Sequence, residues 1–165
     1  MPARLTSVEQ LMPFPTAADL LATKSLKGVI SVEPDTTVLA AMQAMADKQI
    51  GFLPVVMHGA LAGVVSERDC ARKVVLRQLP ADSTAVSAIM SSPVYSVPPQ
   101  TKIPECIMLM HDKGIRHLPV MDGSEIVGVL SVRDLMAALV VRHERLLRRF
   151  HEERLTLLHP DPSSY

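Results

Sequence analysis

The sequence predicts a mixed α/β (α+β) fold: two β-α-β-β-α units related by a pseudo-twofold axis, plus a long C-terminal helix. Three observations carry this expectation. The chain repeats itself at an offset of 65 residues. Each copy alternates short β-type runs with helical spacing. The last helical pattern runs past the end of the second copy. Residues 29–69 lie on 94–134 without a gap, and 17 of the 41 pairs are identical. Average composition gives about two or three such identities. Among them are Pro34/Pro99, Thr36/Thr101, Leu53/Leu118, Pro54/Pro119, Val55/Val120, Gly63/Gly128, Ser66/Ser131, Arg68/Arg133 and Asp69/Asp134. Upstream, ADLLATK (18–24) and SAIMSSP (87–93) read as matching short lead-in helices, the first with a few extra residues.

Each copy reads in the same order. A short apolar strand (Val29–Val32; Val94–Val97) ends at a proline. Thr36 or Thr101 then suits a helix N-cap. Val38, Ala41, Met42 and Met45 follow at helical spacing, matched by Ile103, Cys106, Ile107 and Met110. Pro104 falls in the first turn, where its missing N–H costs little. Two strands come next, Phe52–Met57 with Leu61–Val65, and His117–Met121 with Ile126–Leu130. The Asp122-Gly123 link is a hairpin signal. A second helix starts after Ser66 or Ser131. One unit holds too little core to stand alone with ease, so the two are expected to share one. The resulting division is an N-terminal arm (1–16), a first unit (17–80), a second (86–148) and a helix end with tail (149–165). The arm and the terminal HPDPSSY are expected to be loose.

Composition narrows the function. Of the 165 residues, 48% are hydrophobic, enough for a packed core. Seventeen basic residues balance 17 acidic ones, which argues against a polyanion binder working through a strong overall field. Aromatics are only 3%, which disfavours base-stacking platforms. The basic stripe of Arg68, Arg72, Lys73 and Arg77 is local, so no nucleic-acid partner is expected. Cys70 and Cys106 show no metal or disulfide spacing and read as reduced thiols. The six histidines show no tight ligand spacing, so no metal is expected. There is no Walker loop, G-x-G or nucleophile elbow, and hence no catalytic centre to name. No apolar run approaches a membrane span and no long apolar leader opens the chain, which reads as soluble and cytoplasmic.

The repeated residues resemble a known family. Gly114 to Asp122 (GIRHLPVMD) followed by Val127 to Asp134 (VGVLSVRD) looks like the signature of a CBS domain, and Leu53–Val55 with Gly63–Asp69 repeats it. Together they resemble a tandem CBS pair, or Bateman module, of the stand-alone kind found in bacteria and plant organelles. The resemblance spans roughly residues 17–148. It implies a regulatory module, not an enzyme, that senses adenosine-containing ligands in clefts between the halves and signals to an effector protein. AMP, ATP or NAD(H) are the implied ligands, ahead of S-adenosylmethionine. A CBS-pair protein that binds no nucleotide and serves structure or interaction is the alternative.

Gly63, Ser66, Asp69 and Gly128, Ser131, Asp134 form G-x-x-S-x-x-D segments. A carboxylate can accept bonds from both ribose hydroxyls. Serine at a helix start can bond a phosphate or ribose oxygen, and glycine permits close approach. Arg68 and Arg133 are candidates for phosphate. The same Ser-x-x-Asp spacing is also an ordinary capping box, and one pair can serve both purposes. The family pattern implies that Asp134 and Ser131 work with Thr36 and Val29–Ile30, and Asp69 and Ser66 with Thr101 and Val94–Tyr95. Ile30, Tyr95, Val65 and Leu130 are adenine-sandwich candidates, with plain core the favoured reading for most of them. Arg116 and His117 occupy positions that face phosphate in nucleotide-binding relatives, whereas the first copy has Gly51 and Phe52 there, and Met57 in place of Asp122. One tighter and one weaker or vacant cleft are therefore expected.

From Val132 to Leu157 the pattern is helical, roughly 38 Å at 1.5 Å per residue. Its charged positions fit either a solvated face or a partner contact. The family resemblance favours the second, in a homodimer.

Overall fold

The computed structural model describes residues 12–24 and 28–158, with side chains through 154. The first half contains helix α1 (Ala17–Thr23), helix α2 (Val38–Lys48), strands β1 (Phe52–Met57) and β2 (Ala60–Ser66), and helix α3 (Glu67–Lys73). The second contains α4 (Ile103–Lys113), β3 (His117–Asp122), β4 (Glu125–Ser131) and the long α5 (Val132–Leu158). Single 3₁₀ turns at Val75–Arg77 and Val86–Ala88 lie between the halves. The strands form two separate antiparallel hairpins, β1–β2 and β3–β4. Their registers match, Phe52 facing Ser66 and His117 facing Ser131, and each carries a bulge at the equivalent step, Val55/Val56 and Val120/Met121. The duplication is thus structural down to an irregularity.

The hairpin-strand predictions hold, Phe52–Met57 as read and the other three lengthened by a residue at one or both ends, but the opening strands do not. Val29–Val32 and Val94–Val97 reduce to single parallel bridges, Val32 to Val55 and Val97 to Val120. Val32 donates to Pro54 O at 3.0 Å and accepts from Val56 at 2.9 Å, and Val97 repeats this with Pro119 and Met121. The proline-bearing turn that follows carries the chain away from the sheet before a longer ladder forms. The N-cap expectation also shifts. Thr37, not Thr36, caps α2 by accepting from Ala40 N, and Lys102, not Thr101, stands at the head of α4 without a side-chain cap bond. Met42, expected inward, is 37% exposed on the outer face of α2. In α4, Pro104 sits in the first turn and Gly114 closes the helix at φ 62°, a left-handed conformation that glycine adopts without strain.

The lead-in segments are exchanged between the two cores. Ala17 and Leu20 of α1 pack with Ile103, Cys106, Met110, Leu118 and Leu130 of the second half. Val86 and Ile89 pack with Val38, Ala41, Met45, Leu53 and Val65 of the first. The same backbone bonds pin both: Ala17 N to Thr101 O at 2.8 Å, and Val86 N to Thr36 O at 2.8 Å. Capping by Thr16 and Asp19 fixes the start of α1. The family's glycines serve this exchange. A Cβ at Gly63 would collide with the Met90 side chain, and one at Gly128 with Leu21. The close approach expected of a ligand is made here by the lead-in side chains.

Residues 12–16 are not loose. Pro15 O accepts from Ile103 N at 3.1 Å, Arg142 donates to Met12 O at 2.8 Å, and its guanidinium lies 3.7 Å over the Phe14 ring. The rest of the expected arm and the HPDPSSY tail lie outside the described residues. Both cysteines are free and buried. Burial pushes the Cys106 thiol up to about 11, which leaves little thiolate at neutral pH. Among the described residues no helix is long and apolar enough to cross a membrane.

Leu20→Ala should cost about 2–4 kcal/mol, the usual penalty for emptying a buried leucine site. Hydrogen exchange should then rise first in α4, β3 and β4, although residue 20 precedes the first half in sequence. Loss of protection centred on α2 and β1 instead would contradict the exchange of cores.

Candidate functional site

Ser66 and Ser131 end their strands and head helices α3 and α5. Both make the capping box that the sequence allowed. Asp69 Oδ2 accepts from Ser66 N at 3.0 Å and Ser66 Oγ at 2.6 Å, and Asp69 N donates back to Ser66 Oγ at 3.2 Å. Asp134 and Ser131 repeat this at 2.7, 2.8 and 3.3 Å. Each bond satisfies a helix-start donor and positions an anion at the helix N-terminus. The carboxylates stay part-exposed, at 19% and 25% of the side-chain surface.

Each aspartate also holds a lysine that the sequence reading had not assigned to the site. Lys73, one turn along α3, meets Asp69 Oδ1 at 2.8 Å and Ile89 O at 2.7 Å, with Ser91 Oγ at 3.4 Å. Lys24, from the end of α1, meets Asp134 Oδ2 and Val129 O, both at 2.9 Å. The i,i+4 spacing of Asp69 and Lys73 was a legible signal. Nothing local linked Lys24 to a partner 110 residues away. The two sites therefore differ. At Asp69 both oxygens are engaged, one by serine and one by lysine. At Asp134 all three bonds fall on Oδ2, and Oδ1 has no partner among the described residues. Burial alone would raise the Asp134 pKa, but the hydrogen bonds from Lys24 and Ser131 outweigh it and hold the carboxyl below its ordinary value.

These ties join each aspartate to a lead-in segment, Asp134 to Lys24 at the end of α1 and Asp69, through Lys73, to Ile89 and Ser91. Ile30 is half-buried against the first core. Tyr95 is exposed at 45%, with the Lys113 ammonium 4.9 Å over its ring. Thr36 and Thr101 are half-buried, and their carbonyls hold the exchanged lead-ins. Among the described residues no hydrogen bond joins Thr36 to Asp134 or Thr101 to Asp69. Arg68, Arg116 and Arg133 are exposed.

His117 stacks on Phe52, with ring centroids 4.8 Å apart and planes 19° apart. The two positions are equivalent in the repeat, so a contact between them puts the pseudo-twofold axis at the stack. The residue pair that made the halves look lopsided is also what joins them. Burial lowers the His117 pKa, and Arg116 and Lys24 push it further down against the pull of Asp134. Arg116, His117, Lys24 and Asp134 thus share one electrostatic neighbourhood. The Asp69 side has Gly51 and Phe52 where Arg116 and His117 stand.

The CBS family model matches residues 17–76 and 86–141. The chain belongs to the CBS-domain family. Its two CBS motifs are the two halves described above. A mitochondrial CBS domain-containing protein of Arabidopsis thaliana is 36% identical over 71% of this chain, which spans 59% of that relative's length. A CBS domain-containing protein of Bacillus subtilis is 32% identical over 65% of this chain and 76% of its own. The structure of a protein with CBS domains from Burkholderia ambifaria superposes with a TM-score of 0.73 at 39% identity. It covers 76% of this chain and 94% of its own.

The His117 imidazole should titrate below 6.5, read from its ring protons by NMR. A depressed histidine pKa makes the unfolded chain the stronger proton binder, so stability is full above 6.5 and falls as pH drops through the folded midpoint. His117→Phe keeps a stack and should flatten that dependence; an unchanged slope would locate it elsewhere.

Proposed function

We propose that the chain is a regulatory module that binds adenosine-containing ligands between its CBS motifs and passes their presence to a partner protein. CBS pairs are regulatory and often bind such ligands. The supporting observation in this chain is the pair of equivalent, part-exposed aspartates at the heads of α3 and α5, each tied to a lead-in segment. Under this reading Asp134 and Ser131 take the ribose beside Thr36 and Ile30, with Arg133, Arg116 and His117 on the phosphate side. Asp69 and Ser66 do the same beside Thr101 and Tyr95, with Arg68. The Asp134 cleft is the tighter one. It keeps a free carboxylate oxygen among the described residues and gathers Arg116 and Lys24 nearby. The stack on Phe52 limits His117 to an edge contact. AMP, ATP and NAD(H) are the leading ligands, S-adenosylmethionine the next, and the cytoplasm is the proposed location.

A second copy of the chain is the proposed partner for the helical face. Exposed Val132 and Met136 lie there, lining with Ile107, Met110, Ile115 and His111 a hollow of about 230 Å³ between α4 and α5 that contains neither aspartate. Contiguous apolar surface of this kind is costly to leave in water. Met136→Glu should convert a dimer to a monomer by light scattering, and a monomeric wild type would refute the assignment. The alternative, an interaction protein that binds no nucleotide, draws support from the lysines already paired with both aspartates.

Thermal shift separates the two readings. At a hundredfold excess over Kd, binding adds about 2.7 kcal/mol, a rise of roughly 5–10 °C for a domain of this size. AMP, ADP, ATP, NAD(H) and S-adenosylmethionine form the screen. At least one should raise Tm, and the ligand-induced rise should shrink in Asp134→Ala more than in Asp69→Ala. No rise with any of them would favour the interaction protein.

A further inference from the structure

We propose that Lys24 is a phosphate-reading latch on the Asp134 cleft: it occupies the carboxylate when the cleft is empty and turns to the ligand's phosphate when ribose hydroxyls take its place. This deepens the ligand reading above and rests on it. The argument starts from the crowding at one atom. Asp134 Oδ2 already accepts from Ser131 N, Ser131 Oγ and Lys24 Nζ. A carboxylate offers about four lone-pair sites over its two oxygens, so a ribose diol that spans both must displace one of these donors. The two serine bonds are part of the helix cap and stay. Lys24 is the donor that can leave. It reaches across from another element, its side chain is 29% exposed, and its four-carbon stem is flexible.

Where the displaced ammonium goes decides the specificity. Once Asp134 is committed to the ribose, a neutral nucleoside leaves Lys24 with one acceptor among the described residues, Val129 O, and no counter-charge at 2.9 Å to replace the carboxylate. A ligand with a phosphate supplies the missing anion, and ammonium–phosphate bonds are charge-assisted. The Asp69 cleft has no counterpart. Lys73 rises from the same helix as Asp69 and keeps Ile89 O and Ser91 Oγ as acceptors if the aspartate is taken. The position equivalent to Lys73 in the second motif is Ala138. The two lysines are therefore separate inventions at equivalent aspartates, and only one depends on the ligand for a new partner.

Calorimetry on the full chain with AMP, ADP and adenosine tests this. Wild type should bind AMP at least about tenfold more tightly than adenosine at its tighter site, the worth of one charge-assisted bond. Lys24→Met should reduce that ratio about tenfold, weakening AMP while leaving adenosine equal or tighter. Lys24→Arg should keep most of it. Should Lys24→Met fail to fold, Lys24→Gln carries the same comparison. A lysine that merely ties α1 to α5 would move both affinities together, so an unchanged ratio overturns the latch. No binding of AMP, ADP or adenosine to wild type overturns the latch, and the further absence of any response to ATP, NAD(H) and S-adenosylmethionine would defeat the ligand reading itself.

Discussion

Two backbone hydrogen bonds, Ala17 N to Thr101 O and Val86 N to Thr36 O, hold the architecture in place. Each fixes a lead-in segment into the core of the opposite half. A two-stranded hairpin with two helices cannot bury enough apolar surface alone. The exchange supplies Leu20 to one core and Ile89 to the other, so neither half is complete without chain from the other's territory. The glycines at 63 and 128 follow from this, because Met90 and Leu21 need the space. So does the route by which Lys24 reaches Asp134 and Lys73 reaches Ile89.

The Phe52–His117 stack acts on the same symmetry from the other side. Equivalent positions that touch lie on the axis, and here they carry different residues. A symmetric contact thus contains an asymmetric charge environment. The asymmetry continues outward to Arg116, where the first motif has Gly51, and to the lysines, since Lys24 reaches Asp134 from another element while Lys73 rises from the helix of Asp69 itself. A duplicated fold gives two similar clefts; unequal residues at the axis and at the lead-ins make them chemically distinct.

Much of the fold was readable because duplication makes each pattern appear twice. The hairpins, the α2 and α4 spacing and the Ser-x-x-Asp capping boxes depend on neighbours within a few residues, and the sequence displays those directly. Thr36 was misread as a cap because Thr37 beside it offers the same hydroxyl, and only backbone geometry separates them. The opening strands were overextended because an apolar run does not reveal how many residues find a partner. The phosphate-side place of His117 comes from the family resemblance; its stacking partner lies 65 residues away and left no local trace.

By itself the sequence determined the repeat, its β-α-β-β-α order, the family and the two aspartates at the heads of helices. These follow from residue identity and short-range spacing. The tertiary structure alone decided which half each lead-in completes, which lysine faces which aspartate, and what lies on the pseudo-twofold axis. Those relations join residues far apart in the chain. Their free energy comes from burial and ion pairing that exist only once both halves are packed.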